Sequence, residues 1–503
     1  MTNSENLILT IDISSNKIKV ALISDNLKLR RYLSRDLKII DEDLDGFAKR
    51  FDMDDIWNKL KIIIHELLKN RAKNINIIGI SSCAQRMAVV FVNSKGNVIY
   101  GGPNTDVRGI DSAYLIEDEF SEEELFKITG HSPSILFCLS RLLWFKEEEK
   151  ELYSKIDKVL MLDDWIVNKL TGNICSDLTS AAESQLLDIK KGCWSLKIIE
   201  AFDFNPDLFP ELIDLGTITG ELKPELINYF KIKQKSIPVI KTGGDTQATL
   251  LGMGVIEDGN IGISLGTTAP VHLVVNEPIL DPTYNFWTTF HSLKGKWLIE
   301  GNSGNTGLVY DWLKNNILST EMNNKDKVIE NYLKEVEPGS DSTFAFLGPE
   351  IMNIKDQTSL KRGVFVFPPP TLITEKLPKI NNFARSVIEN ICFGINENYK
   401  KLLKYSNLEV KLYSAGGMAK SNEFCKILAN VLNQDIKVPQ IKDSAFIGCA
   451  MNTLIGLDLY QDYRKVIDEL LEFKEFPIDD NISNKYKKVF KEWKILKKRV
   501  NEL

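Results

Sequence analysis

Four short segments of the chain carry residue types that handle phosphate. In the first, residues 7–19 (LILTIDISSNKIK), Asp12 ends an apolar run and the small residues Ser14, Ser15 and Asn16 make a turn. Such a turn offers backbone N–H groups and hydroxyl oxygens to a phosphate, and the acid can hold Mg2+ directly or through water. Lys19, one strand later, can reach the same phosphate as a point charge. The same residues also fit an ordinary β-turn with an Asx cap. The second segment, Ser264 to Thr268 (SLGTT), repeats this logic with Gly266, Thr267 and Thr268, where the glycine permits close backbone approach. In the third, Gly416 and Gly417 stand between a strand and a helix that starts near Ser421, a seat for a nucleotide or simply a tight connection. The fourth, residues 241–247 (KTGGDTQ), presents Asp245 after two glycines. A carboxylate on such a turn can take the proton of a hydroxyl attacking a phosphoryl group, or can cap the helical stretch 248–253.

The elements that must position these segments follow from hydrophobic period. Residues 7–11, 17–23 and 29–40 read as three successive strands. A helix follows, with Asp52 to Asp55 as cap and acidic first turn and Ile56, Leu60, Ile63, Ile64, Leu67 and Leu68 as its apolar stripe. Strands are expected at 75–81 and 87–93, helices at 142–150 and 156–170, and strand character returns between 238 and 276. Farther on, 297–300 precedes a helix over about 305–316, 383–405 carries a helical stripe, 411–415 reads as a strand and 421–432 as a capped helix. No assignment is made for 319–381. The hairpins at Asp12 and Gly266 lie about half the chain apart, which suggests an internal structural duplication.

Composition removes several classes. The 503 residues are 43% hydrophobic and 26% charged with a formal net charge of −6, which excludes a disordered or collagenous chain. Seven scattered cysteines without a CxxC pattern argue against a disulfide framework or a zinc site and for a reducing compartment. No segment approaches the roughly 18 apolar residues of a membrane span. The basic stretch 485–499 reads as a solvated helix face, so a cytoplasmic protein without a nucleic-acid or membrane partner is expected.

The order of the four segments is more telling than any one of them. Together with the connecting text LLWFKEEEKELYSKIDKVLMLDDWIVNKLTG and SAGGMAKSNEFCKILANVLNQDIKVP, the chain resembles the FGGY carbohydrate kinases from about residue 7 to 460. The resemblance implies an α/β, actin-like ATPase (ribonuclease H-like) fold, with two duplicated lobes that close over an active-site cleft. It implies an N-terminal lobe over 5–252, a C-terminal nucleotide-binding lobe over 258–460 and a helical tail over 461–503. It further implies ATP and Mg2+ as cofactors and a small sugar or polyol as substrate, such as a ketose like xylulose or an autoinducer-2-like dihydroxypentanedione, with a homodimer as one assembly. Carried over by position, Asp12 and Asp245 fall at the metal, Asp245 at the general base, Ser14, Ser15 and Lys19 at the first phosphate loop, and Gly266, Thr267 and Thr268 at the second. Gly307, Gly416, Gly417 and Ser421 fall where relatives line the nucleotide; Arg86, Asp106 and Arg108, with Asp245, fall on the sugar side.

The chain departs from the family pattern at Ser14, where a glycine is usual, and at Asn16, where a hydroxyl residue is usual. If that glycine position requires left-handed backbone, Ser14 would carry about 1–2 kcal/mol of strain. The segment around Arg86 and the pattern Asn104-x-Asp106-x-Arg108 look closer to the autoinducer-2 kinase branch than to xylulokinases. The alternatives are a catalytically impaired nucleotide-binding scaffold and a sugar-independent actin-like ATPase.

Overall fold

The computed structural model describes residues 5–69, 75–133, 135–318, 324–353, 362–371, 377–441 and 443–502. The chain forms two compact units, the first from 1–256, 276–298 and 441–471, the second from 257–275, 299–440 and 472–503. Neither unit is continuous in sequence. The second half returns a helix to the first unit, and the expected tail 461–503 is divided between the two.

The first unit is built on a six-stranded sheet in the order Ile218–Glu221, Pro238–Gly244, Ile75–Ala84, Glu5–Ile13, Lys17–Ser24, Leu29–Asp36. The three central strands run parallel, and the outer pairings are antiparallel. Central parallel strands are covered on both faces, which is why Glu5–Ile13 is buried from Leu7 onward. The Met53–Leu68 helix buries the expected stripe against this sheet's core, and Asp52 caps it by accepting a hydrogen bond from Asp55 N at 2.9 Å. Each aliphatic side chain buried there stabilises the unit by about 1.5–3 kcal/mol.

Two expectations are corrected. Residues 156–170 are not one helix: Lys158–Met161 is a strand pairing with Val89–Val92, and the helix begins at Leu162. Asp164 accepts a hydrogen bond from Met161 N at 2.9 Å and so fixes the helix start after the β-branched and aliphatic run. The helix after Pro238–Gly244 begins at Asp245 itself, with Gly244 as its cap, so Asp245 is not an N-cap. In the 319–381 stretch the described residues include a helix, Lys325–Glu335, and a two-stranded pair, Phe344–Phe346 with Val364–Val366.

The second unit repeats the plan. Pro270–Val275 and Ile261–Leu265 form an antiparallel hairpin, Leu412–Gly416 lies parallel to Ile261–Leu265, and Ile436–Pro439 and Phe473–Phe476 extend the sheet. The duplication read from the two turns is therefore present as repeated topology, a hairpin with a parallel third strand. The Asp480–Val500 helix is only half solvated, because Tyr486, Phe490 and Trp493 pack on Phe393 of the Ile380–Leu402 helix. Among the described residues no helix is long and apolar enough to cross a membrane.

Candidate active site

In the first unit the three parallel strands end at one edge of the sheet, with Asp12 opposite Cys83 and Gly244 opposite Ala84. The residues that follow those ends, Ser14, Arg86 and Asp245, are thereby gathered at the carboxyl edge of the sheet, where α/β sheets bind ligands. Asp12 is 2% exposed and accepts a hydrogen bond from Lys19 Nζ at 2.7 Å through Oδ2. The antiparallel register that sets Asp12 opposite Lys19 makes this rung inevitable once the hairpin forms. Lys19 also reaches Asp443 Oδ2 at 3.3 Å. Asp443 caps the Ser444–Gly456 helix, which the chain returns to this unit. Burial raises the Asp12 carboxyl above its ordinary range, with the neighbouring Lys19 ammonium acting in the opposite direction. For Lys19, burial disfavours the charge, but Asp12 and Asp443 outweigh it and hold the ammonium protonated. Asp12 Oδ1 has no hydrogen-bond partner among the described residues, so one buried carboxylate oxygen is left to meet a cation. That donor fits the Mg2+ expected from the family.

Asp245 is half-buried at the first position of its helix. Its carboxyl is pushed up to about 7, first by burial and then by Asp12, while Arg86 and the Thr246 backbone and hydroxyl pull it down. A carboxylate poised near neutrality is suited to proton transfer. The turn that presents it is tightly held. Gly243 takes φ 73°, a conformation that favours glycine, and a Cβ there would overlap Thr179 Oγ1. Gly244 N donates to Thr179 Oγ1 at 3.2 Å, and Thr179 Oγ1 donates to Asp177 Oδ1 at 2.5 Å. Behind it Lys241 is fully buried among Asp163, Asp164 and Asp177, the last at 3.2 Å. Burial and the crowding of three acids push Asp164 up to about 7 although Lys241 lowers it. The Asp245 helix crosses the Ser444–Gly456 helix at glycines, since a Cβ on Gly252 or Gly448 would overlap the carbonyl of Ser444 or Ala248.

The first turn itself is ordinary. Ser14 N donates to Lys17 O at 3.0 Å, and Ser15 and Asn16 are exposed. Ser14 does not adopt positive φ, so the strain conditionally expected at this departure from the family pattern is absent. In the second unit Gly266, Thr267 and Thr268 close the hairpin, with Gly266 N donating to Thr268 O at 3.1 Å. Around Gly266 the space is open, a hypothetical Cβ meeting only Thr268 O at 3.8 Å. Gly307 lies under this turn: its N–H donates to Thr267 O at 2.9 Å, and a Cβ on it would overlap Gly266 O and come within 2.8 Å of Thr267 Cα. Gly416 sits opposite Leu265 with φ 121°, and Gly417 N donates to Leu265 O at 2.9 Å. The turn at Gly266–Thr268, Gly307 and the Gly416-Gly417 pair thus form one continuous backbone surface.

Both halves match known sequences. Residues 7–252 match the N-terminal domain of the FGGY family of carbohydrate kinases and residues 261–457 its C-terminal domain. The chain belongs to the FGGY family of carbohydrate kinases. Among curated relatives of this FGGY kinase are YoaC of Bacillus subtilis, which carries the provisional name of sugar kinase, and the autoinducer-2 kinase of Salmonella typhimurium. YoaC is 28% identical over 88% of both chains, and the autoinducer-2 kinase is 24% identical over 85% of this chain and 81% of its own. The fold matches ligand-bound xylulose kinase from Lactobacillus acidophilus with a TM-score of 0.88 at 19% identity, covering 99% of this chain and 98% of that one. It matches Plasmodium falciparum glycerol kinase with ADP at 0.86 and 20% identity, covering 99% of each. The actin-like α/β fold expected from the sequence is therefore the fold of the protein.

Three residues expected to face ligands in this FGGY kinase have internal partners instead. Asp106 is fully buried, accepting from Lys49 N at 2.8 Å, from Tyr100 Oη and from Arg108 Nε at 2.8 Å. Arg108 also donates to Glu42 and to Lys49 O, and it lies over the Tyr100 ring at 4.6 Å. The pair thus braces its loop from within. Ser421 caps the Asn422–Leu432 helix and donates to Glu330. Sequence reasoning missed Asp443, Thr179, Glu183 and Gln247. Only Asp443 carried a local signal, an acid immediately before a helical period.

Proposed function

We propose that this FGGY kinase transfers the γ-phosphoryl group of ATP to a hydroxyl of a small sugar or polyol, with Asp245 as general base. The observation that carries the proposal is the convergence of Asp12, Lys19, Arg86 and Asp245 on one sheet edge, with Asp245 held near neutrality. In this reading Asp245 accepts the hydroxyl proton as the oxygen attacks, and Arg86 orients the acceptor. Lys19 and the Ser14–Ser15 turn meet phosphate oxygens, and the turn at Gly266–Thr268 with Gly307 and Gly416-Gly417 offers the nucleotide a close backbone surface and the Thr267 and Thr268 hydroxyls. Mg2+ would be held at Asp12, where it supplies neutralisation of phosphate charge. A ketose such as xylulose and dihydroxypentanedione are the acceptors to try first, the latter because the relatives include autoinducer-2 kinases.

The test is ADP release with and without ketoses, aldoses, polyols and dihydroxypentanedione, in the protein and in Asp245→Asn. Sugar-stimulated release that falls at least about a thousandfold in the variant, with ATP affinity within a few fold, is expected. Sugar-independent release would mark an ATPase and no release a scaffold. Substantial transfer by the variant would remove Asp245 as the base.

A further inference from the structure

Beside Asp245 the first unit buries more hydrogen-bond acceptors than it satisfies. Glu183 ends the short Leu178–Ala182 helix and is 0% exposed. Its Oε1 accepts from Arg86 Nη1 at 3.2 Å and from Thr289 Oγ1 at 3.3 Å, while Oε2 has no hydrogen-bond partner among the described residues. Gln247, one helical turn after Gly244, is also 0% exposed. Its Nε2 donates to Phe290 O at 3.4 Å and its Oε1 is likewise without a partner. Both residues flank Arg86, Glu183 through the ion pair and Gln247 beside Gly244, where a Cβ would lie 2.6 Å from Gln247 Oε1 and 3.5 Å from Arg86 Cγ. The lack of a side chain at Gly244 thus lets Gln247 Oε1 close on the backbone that leads into Asp245, beside Arg86.

Buried acceptors without donors cost about 1–3 kcal/mol each, and a ligand that supplies the donors recovers that cost. Hydroxyl groups can donate to Glu183 Oε2 and Gln247 Oε1. A carboxylate can donate to neither, and the Arg86 guanidinium that would attract it already faces the Glu183 charge. A site that hydrogen-bonds a substrate hydroxyl rejects analogues lacking it far more strongly than an apolar pocket rejects a missing methylene.

We infer that Glu183, aided by Gln247, is a specificity-determining residue that selects neutral, hydroxyl-rich acceptors and rejects acceptors bearing a carboxylate. This rests on the kinase reading above and names the substrate class of the same site.

The test is ADP release driven by neutral acceptors (D-xylulose, xylitol, D-glucitol and dihydroxypentanedione) and by the acids D-xylonate and D-gluconate, in wild type, Glu183→Gln and Gln247→Met. Wild type is expected to use a neutral acceptor at least about a hundredfold better, in kcat/KM, than either acid. In Glu183→Gln that ratio should fall at least about tenfold, because KM for the neutral acceptor rises while the acids gain, with KM for ATP within about twofold. Gln247→Met should raise KM for the neutral acceptor without any gain for the acids, which keeps the proposal open to disproof if Glu183→Gln does not fold. A wild type that prefers an acid overturns the inference without any variant, as does a ratio unmoved in Glu183→Gln. Absence of ADP release with every acceptor would instead overturn the kinase reading, and this inference with it.

Discussion

The hairpin ending at Asp12 and the hairpin ending at Leu265 occupy equivalent places in two sheets of the same connectivity, yet they are held by different forces. The first is held by charge, with Lys19 bridging Asp12 and Asp443 across a rung of the sheet. The second is held by close backbone approach, with Gly307 and Gly416 pressed against the turn and the strand leading into it. The exposed part of each turn is unremarkable in backbone conformation, since neither Ser14 nor Gly266 needs positive φ. Duplicated topology therefore does not imply duplicated means of support. The first turn should fail when charge is changed, and the second when volume is added.

The largest effect in that contrast is expected at Lys19. Lys19→Met leaves Asp12 and Asp443 facing each other, one of them buried, without their cation. Removing one member of a buried pair typically costs about 3–5 kcal/mol, and the 24% exposure of the Lys19 side chain lowers the expected loss to about 2–3 kcal/mol. Transfer should drop at least about a hundredfold, since the group facing phosphate is removed as well. Thermal melting and steady-state kinetics check the two parts, and a variant as stable and active as wild type would contradict the account of the first hairpin. Next in size is Gly307→Ala. The added Cβ must displace the Gly266–Thr267 backbone, so KM for ATP should rise about tenfold with KM for the sugar little changed. An unchanged KM for ATP would separate Gly307 from the phosphate turn.

The two regions should also differ toward protons. Asp245 works as a base only when ionised, and its carboxyl is pushed up to about 7. Below that pH the protonated fraction grows, so kcat/KM for the sugar should fall on the acid side, approaching tenfold per pH unit well below 7, and level off above it. The groups that the second turn offers are backbone groups and threonine hydroxyls, which do not titrate in this range, so KM for ATP should change less between about pH 6 and 8 than kcat/KM for the sugar does. A pH profile of both constants tests this, and an acid limb near the ordinary aspartate value would show that burial does not govern Asp245.

The positions of the four turns were legible because each is local: an acid or glycine at a fixed offset from the end of an apolar run. The hairpins, the Asp52-capped helix and the turn that leads into Asp245 all follow from such runs. Asp443 had the local signal of a helix cap, but its pairing with Lys19, like that of Glu183 with Arg86, was not legible, since sheet edge and helix packing bring them together across long stretches of chain. The interleaving of the two units escaped for the same reason, because the helix Ser444–Gly456 joins the first unit through glycine contacts that no local period reveals. For Asp106 and Arg108 the motif carried over by resemblance suggested a ligand contact, and what could not be read from it is that aromatic neighbours and buried partners hold both residues from within.

The finest division lies within one dipeptide of the second unit. Gly416 takes φ 121° and a Cβ on it would overlap Leu265 O, so Gly416→Ala should strain the strand pairing and lower stability. Gly417 has φ −62°, in the ordinary helical region, and its Cβ would meet only Leu265 O at 3.9 Å. Gly417→Ala should therefore melt within about 0.5 kcal/mol of wild type. Its N–H, which donates to Leu265 O, is kept. Any change in ATP affinity in Gly417→Ala then reports the methyl group against the nucleotide and not the fold. An affinity within twofold of wild type would place the nucleotide away from this Cα, and a clear loss without a change in melting would place it against Gly417.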